Sequence, residues 1–167
     1  MANRVLNALC VFFILPVILC GCGKDRESVV TDFTADFTAE YRAMSLSGKL
    51  TSDRRGLFNI EITSPDTLGG IGINIKNGVT ELKKGELSCT ADEAYLPQSS
   101  FPSLMKTALE ALSDEVVNNG VSPKNGKIAV EKNGRTFEIF TDGNGYITKI
   151  TLSGELEAEL SGVSASG

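Results

Sequence analysis

The chain has 167 residues, a formal net charge of −5 and no histidine. Without an imidazole, Ser-His-Asp and Cys-His catalysis and histidine-ligated metal sites are excluded, and the acidic balance disfavours nucleic acid as a partner. The length suits one folded domain behind a short leader, and the expectation is a protein that is not an enzyme and carries no cofactor.

The start, Met1 to Arg4, is positively charged, and Val5 to Cys20 is then apolar apart mainly from Asn7 and Pro16. A membrane-spanning helix needs about 20 apolar residues. This run is shorter and ends at small residues, the layout of a cleavable secretory signal over residues 1–21. Its end, Leu19-Cys20-Gly21-Cys22, resembles the lipobox of bacterial lipoproteins, which makes Cys22 the expected lipidation site and membrane anchor on the extracytoplasmic side. Small neighbours keep its thiolate reachable for acyl transfer, and each buried acyl CH₂ contributes about 0.8 kcal/mol to anchoring. Cleavage removes Arg4, Cys10 and Cys20, which leaves a net charge of −6 and Cys89 as the remaining thiol. No intramolecular disulfide can form, and Cys89 reads as a small buried residue on a strand. Residues 22–28 form a short polar tether, 29–162 the domain, and 163–167, rich in serine and glycine, a frayed tail.

From Phe33 to Ala43 the odd positions are Phe, Ala, Phe, Ala, Tyr and Ala, while the even ones are mainly polar. Period-two alternation of this kind predicts a long half-buried strand. A helix would align Phe33, Phe37 and Tyr41 but leave the alanines unexplained. Alternation returns at Leu57–Thr63, with Phe58, Ile60 and Ile62 on one face, and at Ile71, Ile73 and Ile75 between Gly69-Gly70 and the hairpin signal Asn77-Gly78. Further turns at Lys84-Gly85, Asn133-Gly134, Asp142-Gly143-Asn144-Gly145 and Ser153-Gly154 separate strand-like runs. The sum is a meander of about ten antiparallel strands. One segment differs: after Pro102, Leu104, Met105, Ala108, Leu109, Leu112 and Val116 recur at helical spacing and stop at Asn118-Asn119-Gly120. Such a helix buries its apolar face most naturally on the concave side of a curved sheet.

Other motifs are incomplete. Asp142 to Gly145 lacks the closing glutamate of a calcium loop, and Gly69-Gly70-Ile71-Gly72 lacks the lysine and following helix of a phosphate loop, so its glycines mark a bulge or bend. The adjacent pairs Asp92-Glu93 and Asp114-Glu115 point apart and make poor acid–base partners. No metal site is expected.

Gly48-Lys49-Leu50, Arg54, Leu57-Phe58-Asn59, Thr63 and Pro65-Asp66 together resemble the start of the LolA family of lipoprotein carriers. The ending, Ile147 to Gly154 followed by Leu156, Ala158 and Leu160, is similar to the last hairpin of its lipid-anchored, LolB-like relatives. The resemblance implies an α+β fold: a curved, unclosed half-barrel of antiparallel strands with a helix across its concave face and an apolar cavity for acyl chains. Phe37, Tyr41, Phe58, Ile60, Leu109 and Leu112 are the candidate cavity residues, and Arg54 matches the family's lid-contacting arginine. The chain departs from the pattern in having Arg55 where proline is usual and in lacking tryptophan. Two functions follow as expectations. One is an anchored envelope lipoprotein that binds acyl chains or a lipidated partner. The other is an anchored, non-enzymatic interaction module that supports an envelope or spore-cortex enzyme without binding lipid; in that case the same large side chains would fill the cavity instead of lining it.

Overall fold

The computed structural model describes residues 28–53 and 56–166. The expected leader, Cys22 with most of its tether, and Arg54 lie outside these residues. Ten strands follow one another: β1 (Phe33–Tyr41), β2 (Met44–Ser52), β3 (Phe58–Ser64), β4 (Ile71–Lys76), β5 (Val79–Lys84), β6 (Leu87–Asp92), β7 (Lys127–Lys132), β8 (Arg135–Thr141), β9 (Ile147–Leu152) and β10 (Leu156–Ala165). A 3₁₀ turn, Glu93–Tyr95, and one helix, α1 (Phe101–Asn119), separate β6 from β7. All ten strands form a single antiparallel sheet in the order β6-β5-β4-β3-β2-β1-β10-β9-β8-β7. The first and last strands therefore pair at its centre, and β6 and β7 are edges not bonded to each other, so the barrel stays open.

Alternation in the sequence becomes alternation in burial. Phe33, Ala35, Phe37, Ala39 and Tyr41 are buried, and Asp36, Thr38 and Glu40 face water. The strand stops at Tyr41 rather than at Ala43, because Arg42 adopts a positive φ of 56° in the tight turn that pairs Tyr41 with Met44. At Asn77-Gly78 both turn residues have positive φ, 53° and 77°, the twist-matched two-residue hairpin that only such residue pairs reach cheaply. Register shifts at Thr34/Asp36, Ser47/Gly48 and Phe140/Thr141 mark bulges that bend the sheet.

The helix starts after Ser100 with Pro102 in its first turn, where a missing N–H costs nothing. It ends at Gly120, whose φ of 59° lets its N–H reach the Glu115 carbonyl. Its apolar face, Phe101, Leu104, Met105, Ala108, Leu109, Ala111 and Leu112, joins the inner faces of the strands in one core. Fully burying each leucine or phenylalanine there contributes about 1.5–3 kcal/mol.

Two expectations are corrected. The tail does not fray at Val163: β10 continues to Ala165, with Ser164 opposite Thr34 and Ala165 opposite Phe33, because β1 offers a full-length partner to a segment whose own composition is indifferent. Cys89 is exposed, not buried, because β6 is an edge strand whose inner face none of the described residues covers.

Candidate functional site

The six candidate cavity residues come together on the concave side, contributed by two strands and one helix face. Phe37 and Tyr41 lie on β1, Phe58 and Ile60 on β3, and Leu109 and Leu112 on α1, and all six are buried in the common core. The Phe101 ring sits 5.4 Å from that of Phe37 and 5.9 Å from that of Tyr41, so the helix start is wedged against β1. Phe37, Tyr41, Ile60 and Leu112 are enclosed by neighbours. Phe58 and Leu109 border a cavity of about 340 Å³ at the rim, together with Thr31, Ser52, Asp53 and Lys106.

Polar contacts hold α1 over this core at both ends. Before the helix, the Ser99 carbonyl accepts from Tyr41 Oη at 2.5 Å and from Arg42 at 3.4 Å, and the Gln98 carbonyl accepts from Arg135 at 3.3 Å. Along the helix, Lys106 pairs with Glu93 at 2.7 Å and with Glu110 at 2.5 Å, and Lys132 on β7 pairs with Glu110 at 3.3 Å and with Asp114 at 3.2 Å. These five groups run from the 3₁₀ turn behind edge β6, across the helix, to edge β7. Burial of the Lys106 ammonium pulls its pKa down, but hydrogen bonds to and the charges of Glu110 and Glu93 outweigh this and raise it above the usual lysine value. Exposed pairs in the chain contribute little; Lys106, whose side chain is only 16% exposed, is the anchor.

Of the strands, β7 has the closest backbone approach to α1. On the opposite arm the register places Leu82 beside Ile73 and Cys89 beside Leu82, so Leu82, Leu87, Cys89 and Ala91 continue the inner face of the core strands. None of these four is buried: Leu82 is 38% exposed and Leu87 78%. The other face of β6 carries Ser88, Thr90 and Asp92, which is ordinary for a solvent-facing side. Ile71, Leu82, Leu87 and Cys89 line a shallow second cavity of about 250 Å³ with almost wholly apolar walls, and Lys83 and Lys84 stand at its lip. This open wall was not singled out by the sequence reading. Its signal was the alternation Leu87-Ser88-Cys89-Thr90-Ala91-Asp92 beside Leu82.

No family model matches the chain, and no curated protein matches it in sequence. Among solved structures it is similar to an uncharacterized conserved protein from Thermus thermophilus, with 10% identity and a TM-score of 0.50 over 86% of this chain and 85% of that one. What the two share is the fold. Its structural neighbours also include LprF from Mycobacterium bovis, at 12% identity and a TM-score of 0.41 over 85% of this chain and 91% of that one. A LolA superfamily protein from Nitrosomonas europaea is a third, at 11% identity and 0.43 over 86% and 90%.

Proposed function

We propose that the protein is a membrane-anchored envelope lipoprotein, held by a lipid on Cys22, that binds acyl chains or a lipidated partner against its concave wall. The observation that carries this reading is the apolar inner face of β5 and β6, at Leu82, Leu87 and Cys89, left open to water among the described residues in a sheet whose central strands bury their inner face. Water disfavours such a surface, and an acyl chain laid along it removes the exposed area. Arg54 is the proposed lid contact. In support, Asp53 and Gly56, on either side of Arg54-Arg55, line the rim cavity opposite Lys106 and Glu110 of α1.

The test is mass spectrometry of lipid recovered with the chain from Gly23 onward, which carries no acyl group of its own. Acyl lipid is expected in the preparation, and a Leu82→Glu/Leu87→Glu variant is expected to lose it. The anchor is tested separately: an alkyne fatty acid fed to the producing cells labels the wild type and leaves Cys22→Ala unlabelled. The packed interior around Phe37, Ile60 and Leu112 favours the second reading, a lipid-free interaction module for an envelope enzyme. Lipid-free preparations of the wild type would decide for it.

A further inference from the structure

From the open edge of the sheet, we infer that two copies of the protein pair antiparallel along β6 and are locked by a disulfide between their Cys89 residues. The ladder itself fixes which groups face outward. The Glu93 N–H donates to the Gly78 carbonyl at 2.8 Å, which makes that pair a hydrogen-bonded one. Hydrogen-bonded and non-hydrogen-bonded pairs alternate along an antiparallel ladder, so Ala91 with Thr80, Cys89 with Leu82 and Leu87 with Lys84 are hydrogen-bonded toward β5. Ser88 and Thr90 consequently turn their backbone N–H and C=O groups to the outer edge, where no strand receives them among the described residues. An edge of this kind is a template for a further strand.

A second β6 fits the template. Directly opposed residues share a face, so a two-fold pairing centred on Cys89 sets Cys89 opposite Cys89, Leu87 opposite Ala91, and Ser88 opposite Thr90, keeping apolar side chains with apolar and hydroxyls with hydroxyls. Cys89 is then at a non-hydrogen-bonded position, where Cα atoms stand about 4.5 Å apart, inside the range of roughly 4.4–6.8 Å that a disulfide spans. The two open walls merge into one apolar strip. Two features keep the contact weak without the covalent bond. Glu86 meets Asp92 of the second copy at each end, and a six-residue ladder falls short of the roughly 800 Å² per partner of a stable interface. The lock needs an oxidant of the disulfide class. One Cys89 thiolate attacks the small-molecule disulfide and expels one thiol. The Cys89 thiolate of the second copy then attacks the mixed disulfide and expels the other, so two protein sulfurs are oxidised as the reagent is reduced to two thiols, which take up the protons.

The experiment uses the mature lipidated protein in detergent, treated with oxidised glutathione and followed by non-reducing electrophoresis. The wild type is expected to give a dimer that dithiothreitol reverses and a Cys89–Cys89 peptide by mass spectrometry. Thr90→Pro removes an outward-facing N–H while leaving the β5 ladder and the apolar wall intact, so it is expected to slow dimer formation about tenfold or more without changing lipid recovery or iodoacetamide labelling of Cys89. Leu87→Glu, at a mostly exposed position that the fold does not need, is expected to slow it likewise. Dimer formation by Leu87→Glu or by folded Thr90→Pro at the wild-type rate overturns the proposal. So does a wild type that stays monomeric while its thiol is fully alkylated.

Discussion

Replacing Gly48 with alanine tests how the strands and the helix depend on one another. Gly48 stands in the middle of β2, opposite Phe37 on one side and Ile62 on the other, at the bulge where β2 and β3 shift register. A Cβ there would lie 1.9 Å from the Glu61 carbonyl oxygen and 3.0 Å from Phe37 Cε1. Ordinary contact begins near 3.4 Å, so β3 must retreat by about 1.5 Å from the Glu61 contact and the Phe37 ring must also give by a few tenths of an ångström. Inserted methyl groups in packed sites cost about 1–3 kcal/mol, and a clash with backbone falls at the upper end, about 3 kcal/mol, or roughly two orders of magnitude in the folding constant. With a urea m-value of about 2 kcal/mol/M, the midpoint of Gly48→Ala should drop by about 1.5 M at unchanged m. Because Phe37 also supports Phe101, amide protection in the first turns of α1 should fall with it. An unchanged midpoint, with α1 protected as in the wild type, would refute the claim that this glycine makes room for the helix-bearing face.

Three further outcomes follow from the same contacts. Leu112→Ala, at a fully buried position on the inner side of α1, should cost about 2–5 kcal/mol in urea unfolding at constant m. The folded pKa of Lys106 is raised above 10.5, so its contribution is complete below that value and lost as pH rises through the folded value; the midpoint difference between wild type and Lys106→Met should therefore shrink in strong alkali. The Asp142 carboxylate accepts backbone N–H groups of Tyr146 and Asn144, each at 2.9 Å, and its pKa is lowered below 3.8, chiefly by the Tyr146 N–H. Its stabilisation of the β8–β9 turn is present above pH 3.8 and lost as pH falls through the folded value, so wild type and Asp142→Ala should converge in acid.

Much of the fold was legible because the chain states its periods clearly. Phe33 to Tyr41 alternates without a break, the leucines of α1 recur at helical spacing, and Asn77-Gly78 and Asn133-Gly134 adopt the positive φ that their side chains tolerate. What alternation cannot report is whether a layer lies over the face it defines. Cys89 alternates like a half-buried residue yet is exposed, since burial depends on where β6 falls in the sheet and on how far α1 reaches. The end of β10 was illegible for the complementary reason: Ser161 to Ala165 has little strand preference of its own and is ordered by β1 beside it. Likewise, the apolar character of Phe37, Ile60 and Leu112 marked the concave side but not whether they would fill it or line it. The structure packs them against one another.

The position of the open wall follows from topology more than from any single residue. Pairing the first strand with the last at the centre of the sheet puts β6 and β7, which are separated only by the 3₁₀ turn, α1 and their connections, at opposite edges. Whatever joins them must cross the mouth of the half-barrel, and a single helix of 19 residues, about 28 Å long at 1.5 Å per residue, is what crosses. Phe101 fixes its start over β1, Lys106 ties it to Glu93 just beyond β6, and Lys132 on β7 meets Glu110 and Asp114. A single rod held this way leaves the inner face of β5 and β6 uncovered among the described residues. The face carried by Leu82, Leu87, Cys89 and Ala91 is thus exposed by construction, while its apolar side chains give water no favourable contact. None of the described residues covers this apolar face, and the proposed acyl ligand and the proposed second β6 strand would each remove part of it from water.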